Sequence, residues 1–313
     1  MVKHLILSVC CYLLLIPAAN SDNDPKLWLD KMSHAQRELN YQGTFTYEQA
    51  ADIHAMRIAH AVIEGEEYER LEMLDGQEPP LLRRGHGPEC IHLGDRLLRL
   101  YDGQSATKAM SPAVGAHYDF SVAGTSRVAG RSAVELAIMP RDKHRFGHRL
   151  SLDKATGLLL RSVRYGLNNE RLERFQYVTL ELIEEWPADL ITAFKKSVLE
   201  GRQLHHRSSL MMRGEAADYF WQPGWLPEGF ALIPSEHDRK RNKMTFTDGL
   251  AVFSIFLEPA SAEKRLASGH ARRGVATAFS RVSLLADDYY RVTVVGEIPI
   301  ATAEQISNAL SLR

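Results

Sequence analysis

Several groups of residues in this chain are of types that can do chemistry. His86, Cys90 and His92 in "HGPECIH" combine a thiol with two imidazoles, the donor set that suits zinc. They supply three ligands at irregular spacing with no fourth nearby, and a turn leading into a strand accounts for the same residues. Three carboxylate pairs, Glu66-Glu67, Glu184-Glu185 and Asp287-Asp288, have the composition of an acid/base site. Neighbours on a strand point to opposite faces, however, and solvated turns explain all three. The run "PRDKHRFGHRL" gathers Arg141, Lys143, Arg145 and Arg149 with His144 and His148 in one connection. Guanidinium forks of this density bind carboxylate or phosphate, and a solvated hairpin is the alternative. A second basic group, Arg239, Lys240, Arg241 and Lys243, has the same two readings, whereas His205-His206 reads as linker solvation. The spacings G-x-S-x-G, G-x-G-x-x-G, the Walker loop, H-E-x-x-H and paired C-x-x-C are absent, so no nucleophile, phosphate cradle or zinc site is spelled out.

The elements that would carry these residues are mostly strands. Asp24 as cap, Pro25 at the first helical position and Trp28, Met32, Ala35 and Leu39 at helical spacing predict one amphipathic helix over about 25–40. Period two then takes over in "YQGTFTYE" and in 53–63, with further strands expected at 67–74, 89–93, 96–101, 132–139, 147–153, 157–166 and 172–183. Strands in succession without alternating helices predict a large antiparallel half-barrel packed on a helix. The polar, basic stretch 187–217 reads as an exposed connection. Beyond it lies a smaller α+β domain: a strand at 230–235, a hairpin turning at Asp248-Gly249, strands near 275–284 and 289–297, and a terminal helix with Thr302 and Gln305 as a capping box. Phe230 reads as core, while Trp221 and Trp225 fit either core or a docking surface.

The first 21 residues place Lys3 ahead of an apolar run and end in small residues, the form of a secretory signal peptide. The expected units are therefore 1–21 signal, 22–186 large domain, 187–217 linker and 218–313 small domain. Of the 38 Lys and Arg the signal removes only Lys3, and it removes none of the 39 Asp and Glu, so the mature charge is −2. A balance this even argues against nucleic-acid binding. Cys10 and Cys11 leave with the signal, so Cys90 can pair only between molecules. No cofactor and no metal are called for.

The stretches "YQGTFTYE", "SRVAGRSAVELAIMPRDKHRFGHRLSLDKATGLLLRS" and "ERFQYVTL", followed by "WLPEGF", "FTDGLAVFSIFLEP" and "VTVVGEIP", resemble the MucB/RseB family of periplasmic regulators along nearly all of the mature chain. The resemblance implies a first domain similar to the lipoprotein carriers LolA and LolB, able to hold acyl chains, and a smaller second domain. It further implies a non-enzymatic periplasmic protein that binds the periplasmic part of an RseA/MucA-like transmembrane anti-sigma factor and shields it from proteolysis. Lipopolysaccharide or acylated lipoprotein would be the releasing signal, and homodimers or larger forms are expected. Within that frame Phe45, Tyr47, Met56, Ile58, Leu136 and Ile138 are the candidates to line an acyl cavity, although core packing predicts the same list. Arg141, Lys143 and Arg145 are candidates for an anionic headgroup, and Trp221, Trp225 and the group Arg239, Lys240, Arg241, Lys243 for the partner. The rival readings are a periplasmic lipid or lipoprotein carrier and, without a recognisable nucleophile and base, an envelope hydrolase.

Overall fold

The computed structural model describes residues 23–76, 81–84, 112–200, 219–233, 242–261 and 268–313. The signal segment 1–21, His86, Cys90, His92, the expected strands at 89–93 and 96–101, His205-His206, and Arg239, Lys240 and Arg241 lie outside them.

Helix α1 (Pro25–Glu38) starts where the sequence predicts: Asp24 Oδ1 accepts from the backbone N–H of Lys26 at 2.9 Å, and Pro25 occupies the first turn. The chain then runs through β1 (Asn40–Gln49), β2 (Asp52–Ile63), β3 (Glu66–Met73) and β4 (Leu81–Arg84). A short helix α2 (Pro112–His117) leads into β5 (Tyr118–Val128), β6 (Arg131–Pro140), β7 (Gly147–Asp153), β8 (Leu159–Tyr165) and β9 (Arg171–Ile183). Among the described residues these nine strands form one antiparallel sheet in the order β4-β3-β2-β1-β9-β8-β7-β6-β5. Register shifts at Thr44/Phe45, Val122/Gly124 and Ser151/Leu152 mark bulges, which bend and twist strands, and the sheet curls round α1 as a half-barrel. Its inner face buries Phe45, Ile58, Leu136, Ile138 and Leu150 against Trp28, Leu29 and Met32 of the helix.

β5 was not expected from the sequence. Its bulge around Gly124, where φ is +131°, and its largely exposed middle remove the alternation that marks the other strands. The stretch 187–217 is not all exposed connection either. Residues Ala188–Glu200 form α3, and Phe194 packs with Trp186 on Ala61, Ile63 and Tyr68 across the outer face of the sheet. The apolar residues Leu190, Ile191, Phe194, Val198 and Leu199 recur at helical spacing, a signal that the polar stretch beyond Glu200 masked.

Among the described residues the second unit is built on a six-stranded antiparallel sheet. Its strands are β11 (Ala231–Ile233), β12 (Lys243–Thr247), β13 (Val252–Pro259), β14 (Ser268–Arg273), β15 (Ala276–Leu285) and β16 (Asp288–Gly296), in the order β11-β12-β13-β16-β15-β14. A two-strand ribbon of β10 (Trp221–Pro223) and β17 (Leu310–Leu312) lies beside it. Helix α4 (Ile300–Asn308) covers one face, burying Ala303 and Ile306 against Phe253, Ile255, Val292 and Val294. The expected capping box is absent: the cap position is Pro299, and Thr302 lies inside the helix.

Candidate functional site

The residues that sequence reasoning treated as separate clusters converge where the two sheets meet. The connection between β12 and β13 is a four-residue loop, 248–251, rather than the two-residue turn expected, with Gly249 at φ +103°. Asp248 shapes it from within, since its Oδ1 accepts the backbone N–H groups of Leu250 at 2.9 Å and Ala251 at 2.8 Å. The other oxygen, Oδ2, faces the large sheet, where it accepts from Arg145 Nε at 2.6 Å and from the Tyr118 hydroxyl at 3.0 Å. Leu250, only 2% exposed, packs into the core cluster of the large sheet and not into that of its own domain.

Arg145 is the centre of this junction and is 0% exposed. Besides Asp248 it donates to Asp142 and to the backbone carbonyl of Glu228, and its guanidinium lies 4.8 Å from the ring centre of Phe230. Its assignment as a free headgroup ligand is therefore corrected: in this arrangement its donors go to protein acceptors. The signal was a density of arginines, which cannot tell a solvent-facing cluster from one that a second domain covers. Arg141 is exposed and pairs with Asp119 at 2.8 Å, and Lys143 is exposed.

A second ion pair runs beside the first. Arg164 on β8 donates to Glu297 at 2.9 Å, with Glu173 and Tyr47 close by on the same inner face. Burial works against the charge on Arg164, but Glu297 and Glu173 outweigh it and hold its pKa above the ordinary value. Burial, helped by the neighbouring carboxylates, pushes the phenols of Tyr118 and Tyr47 up, so both remain neutral donors. His144 reaches across to the small domain, with Nδ1 3.0 Å from Thr302 Oγ1 and its ring edge-on to Trp225 at 5.1 Å. Partial burial lowers its pKa. Thr302 thus serves the domain contact rather than a helix cap. Around this centre Phe146 and Leu172 pack on Val275, and Arg272–Glu170 and Arg273–Asp52 pairs bridge the rim.

The remaining candidates fall as follows. Phe45, Met56, Ile58, Leu136 and Ile138 are buried in the core cluster and Tyr47 packs against it, so alternation identified the inner face correctly. In this arrangement they are packed core rather than the wall of an open cavity. Trp221 is 0% exposed inside the small domain, which corrects its reading as a docking residue. Trp225 is half-buried at the domain junction, and the ammonium of Lys243 lies 5.9 Å from the Phe256 ring. Sequence reasoning missed Tyr118, Arg164, Leu250 and Glu297 altogether. One signal was available: Leu250 puts a large apolar side chain on a turn tip, where polar residues are the rule. Among the described residues no group of His, Cys, Asp and Glu is arranged to hold a metal ion, and no helix is long and apolar enough to cross a membrane.

Comparison with known proteins assigns the family. Residues 24–196 match the model of the MucB/RseB N-terminal domain, and residues 215–311 that of the MucB/RseB C-terminal domain. The chain is 34% identical to the "Sigma factor AlgU regulatory protein MucB" of Pseudomonas aeruginosa over 310 residues, covering 96% of this chain and 94% of that protein. It superposes on the solved complex of P. aeruginosa MucA and MucB with a TM-score of 0.69 at 31% identity, covering 93% of this chain and 99% of that one. On the crystal structure of MucB the TM-score is 0.56, also at 31% identity, over 93% of this chain and 98% of that one. The chain belongs to the MucB/RseB family, whose members are periplasmic regulatory proteins that act by binding and not as enzymes.

Proposed function

We propose that this chain holds the periplasmic region of a MucA- or RseA-like transmembrane anti-sigma factor, shields it from regulated proteolysis, and so restrains an envelope-stress sigma factor. The working units are a large domain that extends past the expected 22–186 to take in α3 (Ala188–Glu200), and 218–313. One observation carries the reading. At equal sequence identity the chain superposes better on the MucA/MucB complex than on the crystal structure of MucB, with TM-scores of 0.69 and 0.56. The Arg145–Asp248 and Arg164–Glu297 pairs lie at the centre of the domain contact in this arrangement. Release is linkage: an amphiphile such as lipopolysaccharide, or an acylated lipoprotein, that favours the other arrangement weakens partner binding by its differential affinity alone. A hundredfold weakening needs only about 2.7 kcal/mol. Trp225 and Lys243 remain the proposed partner contacts among the described residues. The test is a pull-down of the mature protein with a MucA-like periplasmic region, repeated with lipopolysaccharide. Capture that lipopolysaccharide reverses supports the reading, and absence of capture rejects it.

A further inference from the structure

We propose that the hollow between α3 and the outer face of the large sheet is a binding site for a small aromatic monoanion, a carboxylate carried on a flat ring system. Alternation sends Arg57, Ala59 and Ala61 of β2 to the outer face, while Met56 and Ile58 point into the core on the other side. Ala59 stands opposite Gln42 on β1 and Arg70 on β3, and Arg57 stands opposite Glu72. The small side chain of Ala59 thus forms a floor between long polar neighbours. Leu190, Ala193 and Phe194 of α3, with Trp186 just before the helix, bound the hollow from the other side, and its volume is about 330 Å³. Clefts that take small molecules run to about 300–1,000 Å³, so the space suits a compact ligand.

The two walls differ in chemistry. One is apolar: Trp186 and Phe194 are buried edge-on to each other with ring centres 5.5 Å apart, and Leu190 is left 43% exposed beside the hollow. The other carries two guanidiniums that share one carboxylate, Arg57 and Arg70 lying 3.5 and 3.8 Å from the same oxygen of Glu72. Two cations against one carboxylate leave a single positive charge. Glu181 lines an adjoining hollow instead and accepts from Gln42 at 2.7 Å. A carboxylate ligand meets the remaining charge in the fork geometry that guanidinium favours. A flat ring attached to it lies between the apolar helix wall and the guanidinium planes, where aromatic faces and cations attract. Trp186 supplies an independent sign. It is 6% exposed and its indole N–H has no hydrogen-bond partner, although a buried indole donor ordinarily finds an acceptor. A ligand oxygen reaching this wall provides one.

The experiment titrates the mature two-domain protein with naphthylacetate and with naphthylacetamide, its neutral isostere, reading affinity by calorimetry and position by amide hydrogen exchange. Saturable binding of the acid, binding of the amide weaker by about tenfold or more, and slowed exchange across 186–200 are expected. Glu72→Gln frees both guanidiniums and raises the affinity for the acid but not for the amide. The double variant Arg57→Met/Arg70→Met removes the preference for the acid. Ala59→Leu fills the floor and abolishes binding of both compounds. Ala193→Glu, at an exposed position of α3, sets a carboxylate at the hollow, weakens the acid and serves where Ala59→Leu misfolds. Arg127→Met, at an exposed arginine of β5, leaves both affinities unchanged and separates the site from general attraction of anions. Equal affinity for acid and amide, no binding of either, slowed exchange only outside 186–200, or acid affinity unchanged by both alanine variants overturns the proposal. No anti-sigma factor enters these titrations, so failure of the partner reading and failure of this one are read separately.

Discussion

Replacing Arg145 by methionine tests whether the buried ion pair couples the two domains. The Arg145 and Asp248 side chains are both fully buried, so the substitution leaves a carboxylate in the interior without its guanidinium. Breaking a buried pair from one side costs about 3–5 kcal/mol. The lower end applies here, because Asp248 keeps the Tyr118 hydroxyl and two backbone N–H groups. Arg145→Met is therefore expected to cost about 3 kcal/mol, a hundredfold or so in the docking balance. Asp248→Asn leaves the reciprocal problem, softened because Asp142 still accompanies Arg145. With both changed, no charge is stranded at the centre, so the double variant is more stable than the single losses added together, by about 2 kcal/mol. Urea unfolding of the four proteins, followed by tryptophan fluorescence, measures that coupling. Arg141→Met is the control, since its pair with Asp119 is exposed and is worth under about 1 kcal/mol. The reasoning is refuted if Arg145→Met costs no more than Arg141→Met, or if the two junction substitutions are additive.

Other parts of the molecule yield further expectations. His144 has a lowered pKa because partial burial disfavours its cation, so its contribution to docking is present above the ordinary histidine pKa and is lost as pH falls through the lowered value. Scattering across pH 7.5 to 5 checks this, with opening on acidification that His144→Gln removes. Asp153, although burial alone would raise its pKa, is held below the carboxylate range by bidentate Arg131 and by Thr156. Its stabilisation is full above the unfolded pKa and declines as acid carries the pH through the lowered one. Asp153→Ala is expected to cost about 3 kcal/mol at pH 7 and to flatten the acid limb of the stability profile. Phe45→Ala, at a fully buried site, should cost about 3–5 kcal/mol in thermal or urea unfolding, as packed core does and a solvent-open cavity wall does not. Gly229→Ala places a Cβ 2.3 Å from the His117 ring at a φ of +85°, and scattering should show the domains separated while each sheet keeps its circular-dichroism signal.

Elements that carry a local periodic signal were readable from the sequence. α1 announced itself through Asp24, Pro25 and an apolar stripe, and β1, β2, β6, β7 and β9 through alternation that sets one face against the helix. β5 was not, because a bulge at Gly124 leaves no sustained period, and α3 was passed over because its apolar stripe runs directly into the polar, basic stretch after Glu200. The junction was the least legible part. Arg145 and Asp248 are 103 residues apart, and Arg164 and Glu297 are 133 apart, so nothing local links them. The arginine cluster fitted either an anion site or a solvated hairpin, and the tryptophan-rich segment either core or a docking surface. Arg145 and Trp221 are buried instead, one between the domains and one inside the smaller. Thr302 and Gln305 carried the letters of a capping box, but Pro299 starts the helix earlier and frees the threonine hydroxyl for His144.

The central claim is that docking of the two domains through Arg145 and Asp248 creates the surface that holds an anti-sigma factor. Calorimetric titration of the mature protein with the periplasmic region of a MucA-like protein, beside the Arg145→Met/Asp248→Asn variant, tests it most directly. The account predicts saturable binding by the native protein and at least tenfold weaker binding, about 1.4 kcal/mol, by the variant. No binding by the native protein, or equal affinity for both, contradicts it.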